Sequence, residues 1–268
     1  MQRSQQVMGT VVSYSLREAE SATDGAQSAD AAAHAAAEAA LERAEARLRR
    51  VDEVFSTWKP QSPMSRLRRG EIKLDAAPPE VAEVLQLCSR ARDASDGWFD
   101  PWSLPGGVDP TGLVKGWAAE RALDEFKNAG VPAALINAGG DITAFGRPAP
   151  GQPWRIGIRH PLAADRLLLM VELDGPGAIA TSGTYERGEH LIDPHTGEPA
   201  HGLLSATVVG LDLAFADALA TALFVSGGKL LERISRLAGY HGFTVSGDGV
   251  VRASRGLPVA LKTEACAA

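Results

Sequence analysis

Cysteine is scarce in this chain. Cys88 and Cys266 are the only two in 268 residues. That excludes a disulfide scaffold, and no Cys/His cluster has the spacing of a zinc site. Cys88 follows Val84, Leu85 and Leu87 in an apolar helical context and reads as a core thiol. Long apolar runs are missing as well. The opening Met1-Gln2-Arg3-Ser4-Gln5-Gln6 has none, so neither a signal peptide nor an intrinsic membrane span is expected, and the reading is a soluble cytoplasmic protein. Basic excess is absent too: 27 Lys and Arg stand against 33 Asp and Glu, a net charge of −6. This balance argues against nucleic acid as a partner, because a phosphate backbone needs a clustered basic surface. There is no internal repeat, no dinucleotide fingerprint and no P-loop. What is there suffices for a sizeable core, with 45% hydrophobic and 22% charged residues.

Hydrophobic periodicity predicts a mixed order of elements. Residues 7–16 read as one strand containing Met8-Gly9-Thr10, and 18–30 as a flexible loop. A long helix is expected over 31–55, with Ala40, Leu41, Ala44, Leu48, Val51 and Phe55 as its apolar stripe. Pro60 and Pro63 break that helix, making 56–70 a connecting segment. Further helices are expected over 79–95, 113–129, 214–225 and 229–237. Strands are expected over 133–137, 154–158, 167–173, 178–181 and 204–211, with a hairpin around Gly247-Asp248-Gly249 and a flexible tail over 262–268. The absence of regular βαβ alternation points to α+β in a single domain, long enough for two lobes.

The chemistry concentrates near the C-terminal third. In Asp217-Ala218-Leu219-Ala220-Thr221 a carboxylate and a hydroxyl lie four residues apart, on one helical face. Two hard oxygens so placed suit Mg²⁺, which shares its shell with water and phosphate. The plainer reading is a carboxylate near a helix start, outside the core, offsetting the macrodipole, and a threonine bonding back one turn. His190 stands before Leu191-Ile192-Asp193-Pro194-His195-Thr196-Gly197, whose second half is a turn by composition. It reads as a proton carrier or a half-buried histidine. Asn137-Ala138-Gly139-Gly140-Asp141 is a glycine-rich ligand loop or a strand-end bulge. Trp98-Phe99-Asp100 is core packing or the wall of a site for a flat ring. Asp109-Pro110-Thr111-Gly112-Leu113-Val114-Lys115 puts a lysine near a helix start, where anions bind. Thr181-Ser182-Gly183-Thr184 has no adjacent base, which excludes a serine-hydrolase elbow.

Taken in order, these blocks resemble the FAD:protein FMN transferase family, ApbE. The matching stretches are Met8-Gly9-Thr10, Phe55-Ser56-Thr57-Trp58, Ser65-Arg66-Leu67 and Gly97-Trp98-Phe99-Asp100-Pro101. They continue with residues 108–118, 137–141, 180–183, 190–197 and 217–222. The resemblance implies a mixed sheet core with flanking helices, in two lobes around a cleft that binds FAD and Mg²⁺, and transfer of FMN onto a serine or threonine hydroxyl of an acceptor flavoprotein, with AMP released. It implies that Asp217, Thr221 and the backbone carbonyl of Gly112, in the loop before the helix, hold the metal. It implies FAD contacts from Met8, Trp58, Trp98, Phe99, Asp100, Asp109, Lys115 and Ile192, with His190 as proton acceptor. The chain departs from the family pattern in carrying Trp58 where tyrosine is usual, and in a short stretch between Asp100 and Asp109. A Mg²⁺-dependent FAD pyrophosphatase and a non-catalytic FAD-binding protein are the alternatives.

Overall fold

The computed structural model describes residues 1–17, 27–104, 106–183 and 191–262. Its strands are β1 (Gln2–Val7), β2 (Thr10–Arg17), β3 (Ala133–Ala138), β4 (Asp141–Phe145), β5 (Trp154–His160), β6 (Ala163–Leu173), β7 (Gly177–Gly183), β8 (Leu203–Gly210), β9 (His241–Ser246), β10 (Val251–Ala253) and β11 (Val259–Lys262). Its helices are α1 (Gln27–Phe55), α2 (Pro63–Arg68), α3 (Pro79–Ala94), α4 (Thr111–Asn128), α5 (Leu213–Val225) and α6 (Leu231–Ser235). Eight strands form one sheet in the order β1-β2-β3-β4-β7-β8-β9-β10, and β11-β6-β5 form a second. Neighbouring strands in both sheets pair antiparallel. The fold is α+β.

The large sheet is covered on both faces. Strand side chains alternate between faces, and β7 shows the division: Ala178 and Ala180 join the main helical core, while Ile179 joins a second core with Val171 and Leu173 of the small sheet. On β4, Ile142 and Ala144 face the small sheet, so Asp141 and Thr143 point toward the helices. The apolar stripe expected for α1 is buried throughout, from Ala40 to Phe55. That helix begins at Gln27, so the last residues of the expected 18–30 loop are helical.

Three local expectations are corrected. Residues 7–16 do not make one strand: Val7 pairs with Thr10, and Met8-Gly9 is the two-residue turn of a hairpin. Met8 and Gly9 have φ of 53° and 69°, the left-handed pair that matches strand twist in such turns. The 56–70 segment contains α2, because Pro63 starts a helix there. Ser62 caps it, accepting from Ser65 N, and Pro63 takes a first-turn position, where its missing N–H costs nothing. Asn137–Asp141 is not a bulge but the β3–β4 hairpin turn, with Ala138 opposite Asp141 and Asn137 Oδ1 accepting from Gly140 N at 2.8 Å.

Candidate active site

α4 and α5 cross closely. A Cβ placed on Gly116 would lie 2.6 Å from Leu213 O, so the crossing requires glycine. With the backbones this near, residues one turn away on each helix meet. A Cβ on Gly112 would lie 3.8 Å from Thr221 Oγ1 and 3.2 Å from the Phe99 ring. Lys115 Nζ stands 3.9 Å from Asp217 Oδ2 and also pairs with Asp141 Oδ2.

α5 is apolar on nearly every side, and Asp217 is buried in it at 6% exposure. This corrects the expectation of a carboxylate outside the core. A charge so placed must be compensated, and Lys115 supplies opposite charge from α4. Gly112 is corrected likewise: it lies in the first turn of α4, not in a loop.

The end of the large sheet closes the arrangement from the other side. Asp141 Oδ1 accepts from Thr181 N at 2.9 Å, tying β4 to β7. Ser182 Oγ lies 3.2 Å from Thr221 Oγ1, and Thr181 Oγ1 lies 2.9 Å from Thr207 Oγ1. Gly139 N donates to Val11 O at 3.1 Å, which sets the turn after Met8 beside the turn leading into Asp141. Gly112, Lys115, Asp217 and Thr221 therefore converge with Asp141 and Ser182.

Asp109 and Trp58 share a cleft of about 370 Å³ with Arg68, Arg69 and Ser65. Arg68 donates to Asp109 Oδ2 at 2.9 Å, and Asp109 Oδ1 accepts from Thr111 N at 3.0 Å. Asp109 thus links this cleft to the start of α4. Trp58 is 93% exposed, an indole standing open to solvent above the cleft. Trp98 packs edge-on against His195, ring centroids 4.6 Å apart, with Lys229 Nζ 5.2 Å from its centroid. Ile192 bridges to Pro199 across the same turn, and Asp193 Oδ1 holds that turn by accepting from His195 N at 2.8 Å.

Two further expected contact residues are engaged by the protein itself. The Phe99 ring is buried in the main core under Gly112. Asp100 pairs with Arg92 at 2.9 Å and accepts from Trp102 N at 3.0 Å. His190, the expected proton acceptor, lies outside the described residues. Cys88 is buried, and burial pushes its thiol up to about 12, an unreactive core residue.

The donor set fits a hard divalent cation. Asp217 and Thr221 offer oxygens one turn apart, and Gly112 has no side chain to keep its backbone from Thr221. Among the described residues no group of three or more His, Cys, Asp or Glu could hold a metal, so a metal here would rely on hydroxyl, carbonyl and substrate oxygens, as Mg²⁺ sites do. Among the described residues no helix is long and apolar enough to cross a membrane.

Solved structures of the same architecture exist. The flavin transferase ApbE from Vibrio cholerae superposes with a TM-score of 0.76 at 21% identity, covering 95% of this chain and 97% of that one. The ApbE protein of Thermotoga maritima superposes with a TM-score of 0.75 at 24% identity, with the same coverage. The sequence profile of the ApbE family matches residues 8–106 and 103–242; the chain belongs to that family. It is 32% identical over 152 residues to the FAD:protein FMN transferase of Salmonella typhimurium, 53% of this chain and 43% of that protein. It is 32% identical over 168 residues to the protein of that name from Treponema pallidum, 56% of this chain and 46% of that one. The matched stretch spans less than half the length of these relatives.

Proposed function

We propose that this chain is an FAD:protein FMN transferase. It moves FMN from FAD onto a serine or threonine hydroxyl of an acceptor protein and releases AMP. The observation that carries this reading is the convergence of Gly112, Lys115, Asp217 and Thr221 at one sheet end, in a chain of the ApbE family. Gly112, through its carbonyl, with Asp217 and Thr221 would hold Mg²⁺, which when bound offsets charge on the pyrophosphate oxygens. Lys115 adds a fixed positive charge beside the same place. The acceptor hydroxyl attacks the FMN-side phosphorus as His190 takes its proton; the bond from that phosphorus to the bridging oxygen breaks and AMP leaves with the oxygen. Asp193 holds the turn that orients Ile192 near His190 in the chain. Trp58, open above the Asp109 cleft, covers a flat ring of FAD.

The test is Asp217→Asn, which keeps the buried shape and removes the charge. Incubated with FAD, Mg²⁺ and an acceptor, the wild type should label the acceptor with FMN. The variant should lose labelling by at least about 10²-fold while remaining folded, as removal of a transition-state charge stabiliser does. Labelling by the wild type in a chelator, or by the variant at the wild-type rate, would refute the metal assignment. Free FMN without labelled protein would favour the pyrophosphatase reading.

A further inference from the structure

A second cleft, of about 420 Å³, opens along α4 and the start of α5, lined in part by Glu83, Arg90, Trp117, Glu120, Asp212 and Phe215. None of the residues expected from the sequence to act lies in it. Its distinctive feature is Glu120. This carboxylate belongs to α4, yet it accepts from the backbone N–H of Leu213, the first residue of α5, and of Ala214. The first N–H groups of a helix have no partner within the helix. Asp212 serves another of them locally, accepting from Phe215 N at 2.8 Å, and is itself held by the Tyr240 hydroxyl.

Glu120 therefore does something a local cap does not: it ties two helices in register. Gly112, Gly116 and Glu120 recur every four residues on α4, forming one stripe. Leu213, Asp217 and Thr221 do the same on α5. The contacts run in opposite order, Glu120 and Gly116 to Leu213, Lys115 to Asp217, Gly112 to Thr221. A slide of α5 along α4 moves every rung of this ladder together. Gly116 sets how near the helices approach, but a glycine contact does not stop sliding. The directed bonds from Glu120 do.

We propose that Glu120 is a positioning residue, clamping the start of α5 so that Asp217 and Thr221 stand at the right height against Gly112 and Lys115. The inference rests on the reading of Asp217 and Thr221 as metal ligands. It makes the wall of this second cleft an anchor for the site.

The experiment measures Mn²⁺ binding to the full chain by electron paramagnetic resonance, which needs neither FAD nor turnover. Glu120→Ala should weaken binding about 10-fold or more, the range for residues that orient metal ligands. Glu120→Gln keeps an oxygen acceptor for Leu213 N and should restore binding to within about 3-fold. Should Glu120→Ala fail to fold, Glu120→Ser, too short to reach Leu213 N but able to hold water, takes its place with the same expectation. Wild-type affinity in the short variant overturns the clamp, and so does a Gln variant as weak as the short one. A wild type that binds no Mn²⁺ removes the metal reading and this inference with it. That failure shows in the parent protein, so it is told apart from failure of the clamp alone.

Discussion

Gly116→Ala adds one methyl group at the place where α4 and α5 touch. The new Cβ would sit 2.6 Å from Leu213 O, 2.7 Å from Leu213 C and 2.8 Å from Ala214 N. Carbon atoms rest about 3.5–4.0 Å from such neighbours, so the helices must separate by close to 1 Å. All three opposing atoms are backbone, and no rotamer change relieves the overlap. Overpacking of this kind costs about 1–3 kcal/mol. The gain in helix propensity from glycine to alanine returns about 1 kcal/mol. The net is a loss of up to about 2 kcal/mol. In a chain of 268 residues a fall in Tm of up to roughly 8 °C follows, at about 2–4 °C per kcal/mol. The effect on turnover is larger, because separating the helices pulls Gly112 and Lys115 from Thr221 and Asp217. A misplacement of about 1 Å at a reacting centre costs about 10²-fold. Calorimetry paired with an FMN-transfer assay, both at a temperature where the variant is folded, measures the two effects separately. Unchanged Tm together with wild-type transfer would mean that the backbones do not meet here. A lower Tm with wild-type transfer per folded molecule would mean that the crossing does not set the geometry of the site.

Three further outcomes are expected. His190→Ala should slow transfer by about 10²- to 10⁴-fold, the range for a lost general base, with FAD affinity within a few-fold of wild type by equilibrium titration; lost affinity with an intact rate at saturation contradicts the role. FAD should quench the fluorescence of the five tryptophans in part, and Trp58→Ala should remove more of the quench than Trp98→Ala, because Trp58 is 93% exposed while Trp98 already packs on His195; equal quenching in both variants and the wild type places FAD elsewhere. Stability should fall as pH rises from about 4.5 to about 7. Burial and the neighbouring Asp212 carboxylate push Glu120 from its ordinary 4.5 up to about 7, against the N–H groups of Leu213 and Ala214, with Asp124 adding to the rise. Glu83, Arg90, Arg121 and Lys127 face the same cleft. The folded state binds the Glu120 proton more tightly than the unfolded state, so its contribution is present below pH 4.5 and lost through pH 7, up to about 3 kcal/mol. Denaturant titrations across this range should show the slope in the wild type and lose it in Glu120→Gln.

The elements legible from sequence were those whose signal is local and repeated. α1 shows its apolar stripe over several turns, and α5 shows the Asp217/Thr221 spacing directly. The elements missed depend on single residues with two meanings. Pro63 stops a helix from one side and starts one from the other, and only the Ser62 side chain bonded to Ser65 N decides between them. The Met8-Gly9 turn was hidden because asparagine or aspartate, not methionine, usually precedes glycine in a left-handed pair. β4 is short and almost wholly buried, so it shows no alternation to read. Phe99 belongs to an aromatic cluster whose neighbour Trp98 is partly exposed. Nothing in the chain order tells which ring turns inward.

The site was half legible for the same reason. Asp217 and Thr221 are neighbours by helical spacing, and Lys115 by its place near a helix start. Asp141 and Ser182 join them only through sheet pairing, and Glu120 only through the crossing of two helices. What the structure adds is the cost of the arrangement. Lys115 bridges two buried carboxylates at the seam between the helices and the sheet end, and burying such charges is seldom the most stable choice. Well-packed apolar residues of like volume are often equal or better. α5 is otherwise apolar around its circumference, so a leucine at 217 would suit its packing. A helix that instead keeps a carboxylate facing a lysine, beside the hydroxyls of Thr221 and Ser182, gives up stability where the proposed chemistry needs charge. Local rules of folding break where function resides, and here they break on the face of α5 that Gly112 and Glu120 bracket.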